Sequence, residues 1–313
     1  MITELKDTTT SKISKQLVTM RREGGAVALS RVLTLLVITR AGFEEAAIDA
    51  ASLASREHPC RIVVIVKGAV TGDTRLDAEI RLGGDAGAAE VIVLRTFGPD
   101  AHVDESLVSG LLLPDAPIVA WWPHGVPKDA ANTPLGKIAH RRITDSGAEK
   151  DPRKALFSLA KSYKAGDTDL AWTRLTLWRA QLASVLDQLD PGSLTSVTVT
   201  GAVDSPSTVL LAAWLRLCLQ IPVTLASSPE GTGVRSVRFA REEGDVELSR
   251  PPGDVAELYQ PGQKAQLISL PQRPVSDCLS EEMRRLDPDE VFGEVVREGL
   301  KRTNLRSIRA SER

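Results

Sequence analysis

Two stretches restrict the fold of this chain more than any others: residues 27–39 (V-A-L-S-R-V-L-T-L-L-V-I-T) and residues 61–66 (R-I-V-V-I-V). Both are rich in leucine and β-branched side chains. A strand that is apolar at nearly every position, instead of at alternate ones, needs cover on both of its faces. Between them, Gly42 opens an alanine-rich segment, residues 43–57, that reads as a helix. Its small side chains let it lie close against a sheet, and His58-Pro59 ends it. Strand, helix, strand in this order commits the chain to sheets layered with helices.

The remaining periodicities extend that pattern. Ile13, Leu17 and Met20 recur at i, i+4, i+7 between the hydroxyl caps at Thr8 to Ser11 and the stop at Gly24-Gly25, which predicts a short surface helix. Strands are expected at 75–82 and 90–96, joined by a glycine turn at 83–87. A helix follows at 104–113, then a strand at 117–121 stopped by Pro123. In the second half a strand at 196–200 leads into Asp204-Ser205-Pro206, a strong helix start with a capping side chain and a first-turn proline. The helix at 209–219 is apolar nearly all round and so should be buried. Further strands are expected at 222–226, 234–241, 245–249 and 265–270, and helices at 276–286 and 288–300. The two halves share their order of elements. The expected fold class is therefore α/β, with two similar units, each a mixed sheet covered by helices, an arrangement that an internal duplication would produce. Residues 125–150, rich in Pro, Gly, Asp and Lys, read as the connection. The expected domains are 1–165 and 166–301, followed by a basic mobile tail at 302–313.

A chain of 313 residues exceeds the roughly 100–200 of one domain. With 42% hydrophobic and 26% charged residues it falls in the globular range. A formal net charge of −2 gives no global attraction to nucleic acid or to an anionic membrane. There is no signal-peptide pattern, and the longest early apolar run, 32–38, is far short of the roughly 18 residues of a membrane span. Cys60, Cys218 and Cys278 include no C-x-x-C pair; Cys60 and Cys218 lie in apolar sequence and read as buried, reduced thiols of a cytoplasmic protein. His58-Pro59-Cys60-Arg61 reads either as a reactive thiol beside a base or, more simply, as the entry into a buried strand.

No catalytic set is visible. His58, His102, His124 and His140 occur at no metal-ligand spacing, and nucleophile elbow, H-E-x-x-H and Walker loop are all missing from the sequence. Gly231-Thr232-Gly233 lacks the third glycine of a dinucleotide fingerprint and precedes a strand. The turn from Gly201 to Ser205, between a strand and a helix start, is a weak candidate for anion binding. The expectation is a protein with no cofactor, no metal and no catalytic residues.

Four of the five tryptophans fall in two short segments, 111–123 (L-L-L-P-D-A-P-I-V-A-W-W-P) and 169–179 (D-L-A-W-T-R-L-T-L-W-R). Tryptophan is enriched where proteins grip one another. If the strand runs through Trp121 and Trp122, they point to opposite faces. Trp122-Pro123-His124 then sits at a strand's carboxyl end, where α/β sheets place ligands, though plain packing also accounts for it. In the second segment a helix is expected to run to about Leu189. At roughly 100° per residue, Leu175, Trp178, Leu182, Val185, Leu186 and Leu189 form one stripe, bordered by Arg174 and Arg179. Such a stripe suits a partner's acidic groups or an anionic ligand, or equally a core helix whose arginines snorkel along its flanks. Trp121, Trp122, Trp172, Arg174, Trp178 and Arg179 are the candidate partner-binding residues.

These segments, with residues 24–39 (G-G-A-V-A-L-S-R-V-L-T-L-L-V-I-T) and 58–66 (H-P-C-R-I-V-V-I-V), resemble the glucose-6-phosphate dehydrogenase assembly protein family (OpcA), its actinobacterial branch in particular. The resemblance runs from about Thr8 to Leu300, and the tryptophan motifs are its specific part. It implies a non-catalytic protein that associates with glucose-6-phosphate dehydrogenase in a hetero-oligomer and promotes its active assembly, with no nucleic-acid or membrane partner. Cyanobacterial relatives are linked to redox control through cysteines, and no cysteine arrangement here matches that property. A different class of function, a sensor or enzyme holding a sugar phosphate or nucleotide in a cleft between the two units, would use Arg174 and Arg179 as anion holders.

Overall fold

Ile13, Leu17 and Met20 are buried on one face of α1 (Thr10–Glu23), as their spacing requires. Each apolar side chain so buried contributes about 1.5–3 kcal/mol. The computed structural model describes residues 1–23, 32–83, 90–99, 102–202, 204–228, 233–303 and 307–309. The helix stop at Gly24-Gly25 and the pair Gly231-Thr232, with parts of the strand expected at 27–39, of the turn at 83–87 and of the tail expected at 302–313, lie outside the described residues.

The chain divides into two compact units, the first formed by Met1–Asp145, Gly166–Thr168 and Val275–Pro288. Among the described residues its sheet has eight strands: β1 (Ile2–Leu5), β2 (Leu33–Arg40), β3 (Cys60–Lys67), β4 (Arg75–Leu82), β5 (Glu90–Phe97), β6 (Ile118–Trp122), β7 (Arg141–Thr144) and β8 (Asp167–Asp169). They lie in the order β1-β4-β5-β3-β2-β6-β7-β8. The pairs from β5 to β7 are parallel, whereas β4 and β1 join antiparallel at the edge. β2 and β3 are buried at every position but the last, as runs apolar on both faces must be. On one face Ile13, Leu17 and Met20 of α1 share a buried cluster with Leu36, Ile65, Ile92, Ala120 and Trp122; α2 (Glu44–Ala54) packs against β2 and β3. The helix expected at 104–113 is a single turn, α3 (Glu105–Val108), extended by a tighter turn through Leu111.

The expected connection 125–150 is not loop throughout. It contains α4 (Pro134–Ile138) and β7, all four of whose residues are buried. Arg141 and Arg142 hid this strand from any hydropathy pattern. They are buried because Arg141 pairs with Glu282 and Arg142 with Asp167, within the same unit.

The second unit comprises Ser146–Ala165, Asp169–Pro274 and Asp289–Arg313. It begins with α5 (Pro152–Ser162), followed by α6 (Leu170–Thr173) and α7 (Thr176–Leu186), which divide the helix expected from 169 to 189. β9 (Leu194–Ala202), α8 (Pro206–Leu219) and β10 (Val223–Ser228) form a parallel strand–helix–strand crossover. α8 starts as the sequence predicts, with Ser205 as cap and Pro206 in the first turn, and its apolar positions are buried almost all round. β11 (Val234–Arg241), β12 (Val246–Ser249), β13 (Val255–Tyr259) and β14 (Gln266–Ser269) continue the sheet as an antiparallel meander. β13, which no sequence pattern announced, alternates strictly between exposed and buried, so one face is core and the other open.

The chain then enters the first unit as α9 (Val275–Arg284), which packs against α2. It closes in the second unit with α10 (Glu290–Glu294), a π-helical turn through Gly299, and α11 (Leu300–Arg302). Within the expected tail, the backbone of β15 (Ser307–Arg309) pairs parallel with β10. Both sheets are mixed and helix-covered, as expected, but the first is mainly parallel and the second mainly antiparallel. Among the described residues no helix is long and apolar enough to cross a membrane.

Candidate functional site

Trp121 and Trp122 take opposite faces of β6, as adjacent strand residues must. Trp122 joins the cluster under α1, and Trp121 points the other way; their exposures are 5% and 1%. The Trp121 indole N–H is buried without a hydrogen-bond partner. Such a group costs about 1–3 kcal/mol.

β6 lies beside β2, whose other neighbour is β3, so the order of parallel strands reverses between β2 and β6. Open α/β sheets bind ligands outside the carboxyl ends of their strands at such a point. The residues there are Arg40 to Glu44 after β2 and Pro123-His124 after β6. Phe43, 44% exposed, meets the His124 ring at 4.8 Å, and the Arg40 guanidinium lies 5.3 Å from the Phe43 centroid. Gly42, at φ +86°, donates its N–H to a Glu44 carboxylate oxygen at 2.6 Å. A helix N-terminus attracts anions, but Glu44 and Glu45 already place two carboxylates in the first turn of α2. A pyrophosphate would meet like charge where a dinucleotide fold offers bare backbone N–H groups.

In the second unit the tryptophan motif forms an internal knot. Asp169 caps α6 by accepting from Ala171 N–H at 2.9 Å, and also accepts from the Ser146 hydroxyl and N–H at 2.8 and 2.9 Å. Trp172 donates its indole N–H to Asp289 at 2.8 Å, while the other Asp289 oxygen caps α10 at Phe292. The Trp172 ring meets Phe292 at 5.8 Å, and the Arg179 guanidinium stacks over it at 3.7 Å. Trp178 faces Arg250 instead, at 5.6 Å. Burial first, then the nearby Arg235, hold the Arg250 pKa below its ordinary value.

Of the six sequence candidates, the structure brings Trp172 and Arg179 into contact. All four tryptophans are at most 5% exposed, whereas Arg174 and Arg179 are half-buried. The buried ion pairs of Arg141 and Arg142 went unseen because their partners lie 141 and 25 residues away. Glu44 was legible as a first-turn acid, but its contact with Gly42 was not. The cysteine expectation needs one correction. Cys60 is buried as expected, but Cys218 is exposed, since it sits on the outer side of α8. Among the described residues no group of three or more His, Cys, Asp or Glu side chains is placed to hold a metal ion.

Two family models match the chain, both describing a glucose-6-phosphate dehydrogenase subunit. The model of its N-terminal domain covers residues 51–161. The model of its C-terminal domain covers residues 165–296. No curated protein matches by sequence. Among solved structures the chain is similar to an oxidoreductase from Sinorhizobium meliloti, at 10% identity and a TM-score of 0.48, over 87% of this chain and 95% of that one. It is also similar to scyllo-inositol dehydrogenase from Lactobacillus casei, solved with NAD(H) and scyllo-inositol, at 10% identity and a TM-score of 0.46, over 86% and 94%.

Proposed function

The chain belongs to the glucose-6-phosphate dehydrogenase subunit family, OpcA, and from that premise we propose that it is a non-catalytic accessory subunit of that enzyme in the cytoplasm, its motifs placing it in the actinobacterial branch. It binds glucose-6-phosphate dehydrogenase in a hetero-oligomer and favours the active assembly, at the entry to the oxidative pentose phosphate pathway. The match of both domain models, which together span most of the chain, carries this reading. The carboxylates in the first turn of α2 support it, because they disfavour a phosphate-bearing cofactor at the strand-order reversal.

An activator of this kind works by binding the active oligomer more tightly than the inactive one. A tenfold preference is worth about 1.4 kcal/mol per site, and about 5.5 kcal/mol moves a population from 1:99 to 99:1. Arg174 and Arg179 are the candidates for direct contact, being half-exposed. Trp121, Trp122, Trp172 and Trp178, buried in this chain, act by holding the surface in shape.

Size exclusion with light scattering tests the reading on the chain, the dehydrogenase of the same organism and their mixture at micromolar concentrations. Co-elution at a mass above either component, with faster NADPH production on mixing, is the expected result. Arg174→Ala, with melting temperature unchanged, should weaken that association. Separate elution with unaltered velocity overturns the proposal.

A further inference from the structure

The sheet of the second unit turns one face to the core and the other outward. Val237, Phe239, Val246, Leu248, Ala256 and Leu258 belong to the buried cluster, and the residues that alternate with them point the other way. Strand register sets the outward residues in rows across the sheet. One row runs Leu267, Glu257, Ser249, Ser236 and Thr200, from β14 to β9. The next runs Tyr259, Glu247, Arg238 and Thr198, from β13 to β9. All of these are exposed or partly exposed.

A sheet face meant for water carries polar side chains. Here three of the four large apolar side chains exposed in the second unit, among the described residues, stand together at the end of the meander. They are Val255, Tyr259 and Leu267, exposed by 48%, 54% and 72%. Scattered singly such residues need no explanation, but grouped they mark an interaction surface. The middle of the face is flat, because Thr198, Thr200, Ser236 and Ser249 are short. A second sheet can therefore approach to the roughly 10 Å of face-to-face packing. From β14 to β10 the face is six strands wide. At about 4.8 Å between strands and ~3.3 Å per residue along them, its plan is on the order of 500 Å² before side-chain relief is counted. A specific interface takes about 600 Å² from each partner at the small end of the range.

We infer that this face is an isologous interface between two copies of the chain. Its charges are self-complementary. When two identical faces oppose one another, the two-fold axis lies in the plane between them. Run along the strands between β11 and β12, that axis sets Arg238 of each copy over Glu247 of the other, because the two are register neighbours on either side of the line. The same rotation lays Tyr259 over Thr198 and Glu257 over Thr200 of the second copy, so no like charges meet. Within the chain Arg238 pairs with Asp245 at 3.5 Å, at exposures of 40% and 42%. Ion pairs this exposed are weak, so the guanidinium can turn to a carboxylate on the opposing sheet. The inference does not rest on the accessory-subunit reading, since the purified chain alone tests it.

Light scattering after size exclusion, over a dilution series of the full chain, is the test. The expected mass at tens of micromolar is twice 33.7 kDa, falling to 33.7 kDa on dilution. Tyr259→Asp and Leu267→Asp should each weaken self-association by about tenfold or more, with the melting temperature of the dilute chain unchanged because both side chains are exposed. Arg238→Glu and Glu247→Arg, each alone, bring like charges together and should do the same. An equimolar mixture of these two variants should recover the dimer, since every contact across the axis then joins opposite charges. That mixture keeps the test open should an aspartate variant fold poorly. A monomer at hundreds of micromolar, or a dimer indifferent to all four substitutions, overturns the interface. So does a monomer that co-elutes with the dehydrogenase and loses that association in Tyr259→Asp, which would assign the face to the enzyme.

Discussion

Asp169 and Asp289 show how single side chains set local structure here. Each caps a helix with one oxygen and holds a second element with its carboxylate: Ser146 in the first case, the Trp172 indole in the second. The aspartate at 169 was readable as a helix start, because capping is a relation between neighbours. The Asp289 contact joins residues 117 apart, and no local pattern announces it. The cysteines give a prediction at this scale. Cys218 is exposed, whereas Cys60 and Cys278 are buried. Partial burial of its sulfur, then the Glu294 carboxylate, raise the Cys218 pKa, so the thiol stays protonated at neutral pH and is a poor nucleophile. Native treatment with N-ethylmaleimide should therefore modify Cys218 alone, more slowly than free cysteine, with the other two reacting after denaturation. Mass spectrometry reads the outcome, and prompt native modification of Cys60 would contradict the closed start of β3.

Among the elements, β7 departs furthest from its sequence. Four consecutive residues, two of them arginines, are buried in the interior of a sheet. Arg141 pairs with Glu282 on α9 and also donates to the Asp287 carbonyl at 2.7 Å; Arg142 pairs with Asp167 and donates to the Ala139 carbonyl at 3.0 Å. Such pairs repay their desolvation only when geometry and extra hydrogen bonds are good, and losing one partner leaves a charge stranded. Glu282→Ala should cost about 3–5 kcal/mol in urea unfolding. The double variant Arg141→Met, Glu282→Leu should recover most of that loss, because it leaves no buried charge. If the single variant costs less than about 1 kcal/mol, the pair is not desolvated as described. The α/β elements with apolar periodicity, such as β2, β3 and α8, were all legible, because burial there is written in the side chains themselves.

For the whole molecule, the sequence suggested a division at residue 165, while the first compact unit joins Met1–Asp145 to Gly166–Thr168 and Val275–Pro288, and Ser146–Ala165 belongs to the second. Those two segments carry Asp167, Thr168 and Glu282, the partners of β7 and of each other. A fragment ending at residue 165 should therefore lack a cooperative urea transition, since Arg141 and Arg142 would be buried without their carboxylates. Replacing both arginines by methionine in that fragment should restore part of the cooperativity; a sharp transition in the unaltered fragment would show that the later segments are dispensable. By itself the amino-acid sequence determined the kind of each strongly periodic element, the α/β class and the family. Those signals arise between residues a few positions apart, where backbone geometry and side-chain spacing act directly. The tertiary structure alone decided that the four clustered tryptophans are interior, that two arginines make a strand, and that a late segment completes the first unit. Each of those outcomes depends on a partner more than twenty residues away or on a neighbouring layer, and a charged or aromatic side chain carries no local mark of whether that partner will be there.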